Sequence, residues 1–428
     1  MRAPDASATG PGRAPRQSRS VEGPGTFSAL KQRNFRLYIG GQLISVSGTW
    51  MQGTAQAWLV LKTLHGRGVA LSWVSTCTAV PMLLFGLWSG TITDRFERRH
   101  TMIVTQTWMA AVAALQAILV ITGVVRLWMV LALAFGMGLG TAFDMPTRHV
   151  FLTEMVEPDD LTNAVGIQSL VFNSGRVVGP ALAAGVIKLV GTSWCFALNA
   201  LSFLAVIGGL LAMRTDQLRP HTRTPRSKRA VREGLAYSWS VVDLRVSLIM
   251  VAIVGLFALN MNVVIPLFAR EAFQGGEGWV GVLSACVGLG AVGAALLTAR
   301  RRRPTRRLLI GAATAFGISF LGLAAAPGPW VGAVAATAVG LSFITFMNAA
   351  NTTLQLGTDD QRRGRVMATY SFLIIGTTPI GAPLVGRIAE HWNVRVATAF
   401  MGIMVLVAAL LGRRMLSPRI RTDELPGP

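Results

Sequence analysis

Long apolar runs separated by short polar, arginine-rich segments recur along the whole chain. They fall at about 36–61, 70–92, 101–124, 127–147, 163–188, 194–213, 246–269, 279–299, 307–326, 330–354, 365–388 and 394–412. Each is long enough to cross about 30 Å of hydrocarbon as a helix. Backbone groups in lipid must pair within their own segment, so the pattern predicts twelve transmembrane helices and an all-α membrane protein. Two runs depart from the rest. The first carries Gln42, Ser45, Ser47, Thr49, Gln52, Thr54 and Gln56, and the eleventh contains Pro379 and Pro383.

The chain also repeats itself at an offset of two hundred residues. When 136–180 is laid over 336–380, Gly140 meets Gly340, Asp159-Asp160 meets Asp359-Asp360, Ser169 meets Thr369 and Phe172 meets Phe372. Both windows read as helix, short acidic turn, helix. A parallel repeat of this size implies two six-helix bundles related by duplication. The expected organisation is a disordered tail over 1–31, a first bundle over 32–213, a basic linker over 214–245 with a short surface helix near 233–243, a second bundle over 246–415, and a tail over 416–428.

Composition agrees with a membrane unit: 52% hydrophobic and 14% charged residues in a chain of 428, with mean hydropathy +0.51. A soluble chain carries about 25% charged residues. The net charge of +21 would suit a nucleic-acid binder, but its distribution argues otherwise. Lys62, Arg67, Arg126, Lys188, Arg270, Arg387 and Arg395 lie near one set of span ends and Arg176 lies within a span. Nearly all the rest fall on the other side, the positive-inside pattern that places both termini and the linker in the cytoplasm. The clusters Arg226–Arg232 and Arg300–Arg307 then read as topology anchors beside anionic lipid. Cys77, Cys195 and Cys286 are scattered over three spans and suit core positions, with no disulfide or metal spacing. The expectation is no cofactor, no metal and a monomer in the cell membrane.

Several constellations could carry chemistry. Between the second and third spans, Gly90-Thr-Ile-Thr-Asp94-Arg95-Phe-Glu-Arg98-Arg99 joins two helices by a short charged loop. Such a loop can latch one bundle to the other in one orientation, with Asp94 capping the next helix or accepting from an arginine; the plainer reading is a positive-inside loop. The fifth span carries Gly166, Gly175, Gly179, Pro180 and Ala183, of which Gly175, Gly179 and Ala183 place small residues every four positions on one face. That face admits a close helix, and Pro180 favours a kink. Arg176 is the one basic residue deep within a span, and Asp144 is its expected partner across the hairpin of spans four and five. This buried pair is read either as permanent or as the proton-coupling element. Gln42, Ser45, Gln52 and Gln56 form a stripe expected to line a wet cavity, with interhelix hydrogen bonding as the alternative; Asn260 and Asn348 are further lining candidates by depth. Gly288-Leu-Gly290-Ala-Val-Gly293 imitates a dinucleotide fingerprint but sits in an apolar span with no preceding strand, so it reads as a packing face. No phosphate-binding loop and no His-Glu-x-x-His metal motif is present, which argues against an ATP-driven pump or a metallohydrolase.

The charged loop resembles the signature of the major facilitator superfamily. Asn34-Phe-Arg-Leu-Tyr38, Gly48-Thr-Trp-Met-Gln52, Phe143-Asp-Met-Pro-Thr-Arg148, Asn173-Ser-Gly-Arg-Val-Val-Gly-Pro180 and Arg363-Gly-Arg-Val-Met367 resemble its drug:proton antiporter branch, which includes the enterobactin exporter. The fifth span is similar to that branch's antiporter motif, with alanines at 183 and 184 in place of a closing glycine pair. The resemblance implies alternating access and proton-coupled export of a small organic molecule such as a siderophore, an antibiotic or another metabolite. An uncoupled facilitator or lipid flippase on the same scaffold is the alternative, and a non-transporting sensor ranks last.

Overall fold

The computed structural model describes residues 27–93, 96–219, 230–274, 276–299 and 305–416. Most of the expected N-terminal tail, the basic run from 220 to 229 and the segment after 416 lie outside the described residues. Among the described residues there are helices and turns but no strands. The helices are α1 (Arg33–Trp58), α2 (Gly68–Thr93), α3 (Arg98–Ile121), α4 (Leu127–Met155), α5 (Leu161–Val190), α6 (Thr192–Leu211), α7 (Ala230–Ser240), α8 (Val242–Ala258), α9 (Met261–Leu267), α10 (Glu277–Ala299), α11 (Arg306–Ala325), α12 (Pro329–Leu356), α13 (Asp360–His391) and α14 (Val394–Leu416).

Eleven helical runs are long and apolar enough to cross a membrane, with α8, α9 and the wider turn Phe268–Ala272 forming a single run. α1 completes twelve by length; its polar stripe lowers its hydropathy. α4 extends to Met155, beyond the expected end near 147, because Thr147 and Arg148 turn into the protein rather than out to water. Their polarity resembles a membrane boundary only when neighbours are unknown. α13 passes Pro379 and Pro383 without a break, as membrane helices tolerate when adjacent helices cover the freed carbonyls.

The packing obeys a pseudo-twofold rule. α1 lies along α5 and α6, and α8 lies along α13 and α14; α2 packs on α4, and α10 packs on α12; α3 packs on α6, and α11 packs on α14. Small residues set the closest of these contacts. A Cβ at Gly138 would fall 2.1 Å from the Thr78 carbonyl oxygen of α2, and one at Gly290 would fall 1.9 Å from the Thr337 carbonyl oxygen of α12. The two halves meet through α5 against α10 and α2 against α13, the same contact made twice under the repeat.

The end that holds the termini is also paired by the repeat. Ahead of α1, the short turn Ser28–Lys31 docks on the α4–α5 corner: Ser28 Oγ donates to Asp160 at 2.5 Å and Ala29 N–H donates to Asn163 at 3.1 Å. Ahead of α8, the linker helix α7 docks on the α12–α13 corner through Glu233–Arg365 at 3.1 Å and Tyr237–Asp359 at 3.5 Å, with the Arg362 guanidinium 4.6 Å from the Tyr237 ring centre.

Candidate functional site

In the sequence, Asp144 is the only acid that falls within any of the twelve expected spans. α4 turns it toward α3, where it is 3% exposed. Its Oδ2 meets Arg148 Nη2 at 2.5 Å, one helical turn along the same helix. Its Oδ1 accepts from Gln106 Nε2 at 2.8 Å and from Thr105 Oγ1 at 3.1 Å. Arg148 in turn lies under the Phe172 ring of α5, 5.3 Å from its centre. A buried carboxylate held by a cation and two neutral donors is a satisfied charge. Protonating it would remove its attraction for Arg148 and leave that guanidinium to find another partner.

The expected Asp144–Arg176 pair is not formed. α4 does run on to the turn near Pro158, which puts the two residues near the same depth. The hairpin splays, however: α4 packs along α2 and α3, whereas α5 packs along α1 and α10. Depth alone therefore does not bring the side chains together. Arg176 sits instead over the Trp50 ring of α1, 5.3 Å from its centre. The observed partner was readable as an acid four residues before an arginine within Asp144-Met-Pro-Thr-Arg148, a spacing that places both on one helix face.

The polar stripe of α1 takes up the second of its two expected roles, hydrogen bonding between helices, at Gln52. In this conformation Gln42, Ser45 and Gln52 are 0%, 3% and 5% exposed and face the interior of the first half rather than an open cavity. Gln52 accepts from Asn199 of α6 at 2.5 Å and donates to Gln116 of α3 at 3.4 Å, and Ser202 continues the network to Asn199. The reason is packing: α5 and α6 cover this face of α1, so its polar groups bond across helices. Among the described residues neither amide atom of Gln42 finds a hydrogen-bond partner, and Gln56 is half-buried. Asn260, 2% exposed, does not line a cavity either. It stands where α8 breaks before α9, and its amide donates to the Leu256 and Phe257 carbonyls at 2.9 and 3.4 Å. Asn348 is exposed on α12.

Of the charged loop, Gly90 belongs to α2, and Asp94 and Arg95 lie outside the described residues. Arg98 pairs with Glu154 at the end of α4. Arg99 Nε and Nη2 donate to the Leu210 and Leu211 carbonyls at 2.7 and 3.4 Å, satisfying the C-terminal end of α6. On α5, Gly175 and Gly179 press on α1. A Cβ at Gly179 would lie 2.4 Å from Trp50 Cβ and 2.8 Å from the Ser47 carbonyl oxygen, and one at Gly175 would lie 2.6 Å from Val46. Gly166 meets nothing within 4 Å. The Pro180 carbonyl lies against Gly281 of α10, where a Cβ would approach to 2.8 Å.

The sequence reading did not single out the contacts that close the far end of the molecule, opposite the termini. Arg270, just after α9, donates to the Leu61 carbonyl and to the Gly66 carbonyl at 3.4 Å. Glu390 of α13 accepts from the Val69 N–H at 3.1 Å, in the first turn of α2. A cation on the carbonyl end of one helix and an anion on the amide end of the next are favourable on helix-dipole grounds. Between them the backbones of Gly68 and Gly386 touch, since a Cβ at either would lie 2.6 Å from the other's carbonyl oxygen.

Comparison with known proteins places this geometry. Residues 24–426 match the family described as transmembrane secretion effectors. The multidrug efflux pump Tap of Mycobacterium tuberculosis is 26% identical over 91% of this chain and 94% of its own length. The macrolide efflux protein A of Streptococcus pyogenes is 23% identical over 90% and 96%. Among solved structures, a bacterial homolog of the human lysosomal transporter Spinster superposes with TM-score 0.69 at 12% identity, over 89% of this chain and 97% of that one. A match over nearly the whole chain, carried by transporters rather than enzymes, means that this protein belongs to the transmembrane secretion effectors, transporters of the major facilitator type.

Proposed function

We propose that the protein exports small organic molecules from the cell in exchange for protons, with Asp144 as the proton site and Arg148 as its counter-ion. The observation that carries the reading is the Asp144 cluster itself: among the described residues the one acid in the interior of a spanning helix, buried, and held by groups from α3 and α4. Intramembrane acids are costly and usually functional. Transport requires the far-end contacts of Arg270 and Glu390 to open in the other state. The Gly90–Arg99 loop is the proposed latch at the terminal end, which the charge distribution assigns to the cytoplasm. Macrolides and structurally varied drugs are the first substrates to test, because the relatives are a macrolide efflux protein and a multidrug pump.

The test is reconstitution with Asp144→Asn. Wild-type vesicles carrying an imposed pH gradient should accumulate the drug, and a protonophore should abolish this. The variant should keep downhill exchange and lose uphill accumulation. Uphill accumulation by Asp144→Asn would exclude the residue as the proton site. Wild-type transport indifferent to the pH gradient would favour the uncoupled facilitator.

A further inference from the structure

Arg176 is the interior charge that the proton cycle leaves unused. It occupies the middle of α5, with roughly 21 Å of helix on either side at 1.5 Å per residue, too deep for its side chain to reach an interface. The one interior acid, Asp144, is committed to Arg148. With Asp144 ionised, the three interior charges sum to a net positive one. The Arg176 guanidinium is half-buried and, among the described residues, makes no hydrogen bond or ion pair. Its Cζ lies 5.3 Å from the Trp50 ring centre, and a guanidinium without a hydrogen-bonded partner keeps its fork of N–H donors for a planar oxyanion. The location is also shared between the halves: a Cβ at Gly288 of α10 would lie 2.6 Å from the Arg176 carbonyl oxygen. A molecule held here borders the junction of α1, α5 and α10, the surfaces that shift when the halves rock.

Resting on the reading of the chain as a carrier of small molecules, we infer that Arg176 is the recognition point for an oxyanion, a carboxylate or phosphate borne on an aromatic or otherwise apolar body that packs beside Trp50. An anionic substrate held there neutralises the surplus cation. A lipid phosphate offers the same chemistry as a soluble organic acid.

The experiment is equilibrium binding by fluorescence anisotropy, in nanodiscs of neutral phosphatidylcholine without any pH gradient. The probes are two xanthene dyes of matched size, anionic fluorescein and a cationic rhodamine methyl ester. Wild type should prefer fluorescein by about tenfold or more, the scale of one charge-assisted hydrogen-bonded contact. Arg176→Gln should erase the preference, and Arg176→Lys should keep part of it. Thermal melting reports whether each variant is folded, and the lysine form serves if the glutamine form is not. Adding phosphatidylglycerol separates the sources: displacement of fluorescein from wild type assigns the site to lipid phosphate, and its absence assigns it to soluble anions. No anion preference in wild type, or the same preference in folded Arg176→Gln, overturns the proposal. Because no gradient is applied, a failure of proton coupling would leave this result unchanged.

Discussion

Asp144 can lose its charge by taking up a proton, and Arg148 cannot shed its own at any pH a cell tolerates. The two halves of the pair are therefore unequal. Asp144→Asn should strand a guanidinium of which the Nε is already buried without a partner. Arg148→Gln leaves a carboxylate that keeps Thr105 and Gln106 as donors. Breaking a fully buried pair costs about 3–5 kcal/mol. The expected order is that Asp144→Asn lowers the melting temperature in detergent more than Arg148→Gln, and that the double variant loses less than the sum. Additive losses would mean that the pair does not act as a unit. Gln42 invites the opposite experiment. Its amide is buried with neither atom bonded, a cost of about 1–3 kcal/mol. Gln42→Met should raise the melting temperature and slow transport if the amide finds its partner in the other state. Unchanged transport would mark it as a structural leftover. At this scale the sequence displayed every group but not the pairing. The spacing of Asp144 and Arg148 was legible, whereas the choice between Arg148 and Arg176 depended on which way α4 and α5 diverge.

The glycines of α5 separate contact from freedom at the scale of an element. Gly179→Ala must force α1 away, because its Cβ would lie 2.4 Å from Trp50 Cβ and 2.8 Å from backbone atoms of Ser47 and Met51. Overpacking of this kind costs about 1–3 kcal/mol. Gly166→Ala meets nothing within 4 Å and should be neutral or gain up to about 1 kcal/mol of helix propensity. Melting curves of the two variants check this; equal behaviour would show that α1 and α5 can separate at little cost. The four-residue spacing of the small residues was visible in the chain, and so was the expectation of a close helix. That the partner on one side is α1 and on the other α10 was not. The polarity of α1 was visible too, yet the choice between its two destinations was not, because a polar stripe satisfied by neighbouring helices has the same letters as one that faces water.

For the whole molecule, the cycle requires the far end to part. With Cys77, Cys195 and Cys286 replaced, cysteines at Val69 and Glu390 should cross-link through a short reagent, because the Glu390 carboxylate reaches the Val69 backbone N–H and the adjoining backbones touch at Gly68 and Gly386. The cross-linked protein should be inactive, and cleaving the linker should restore transport. Full activity while linked would show that this end does not open. Arg270→Ala, which frees the Leu61 carbonyl, should slow the cross-linking by favouring the open form. Separately, cysteines introduced at Ser227 and Ser417 should resist an impermeant reagent added to intact cells. Labelling from outside would invert the proposed topology.

The sequence by itself determined the all-helical membrane class and displayed the repeat at two hundred residues, because these rest on local properties: apolar length, charge between spans and a fixed offset. It also carried the family in short motifs spread over nearly the whole chain. Only the tertiary structure decided which helices touch. From those contacts follow the partner of Asp144, the isolation of Arg176, the burial of the α1 stripe and the closure at Arg270 and Glu390. Each depends on a helix crossing between residues far apart in sequence. Small residues make many of these crossings, and the letters alone do not say which face meets which neighbour.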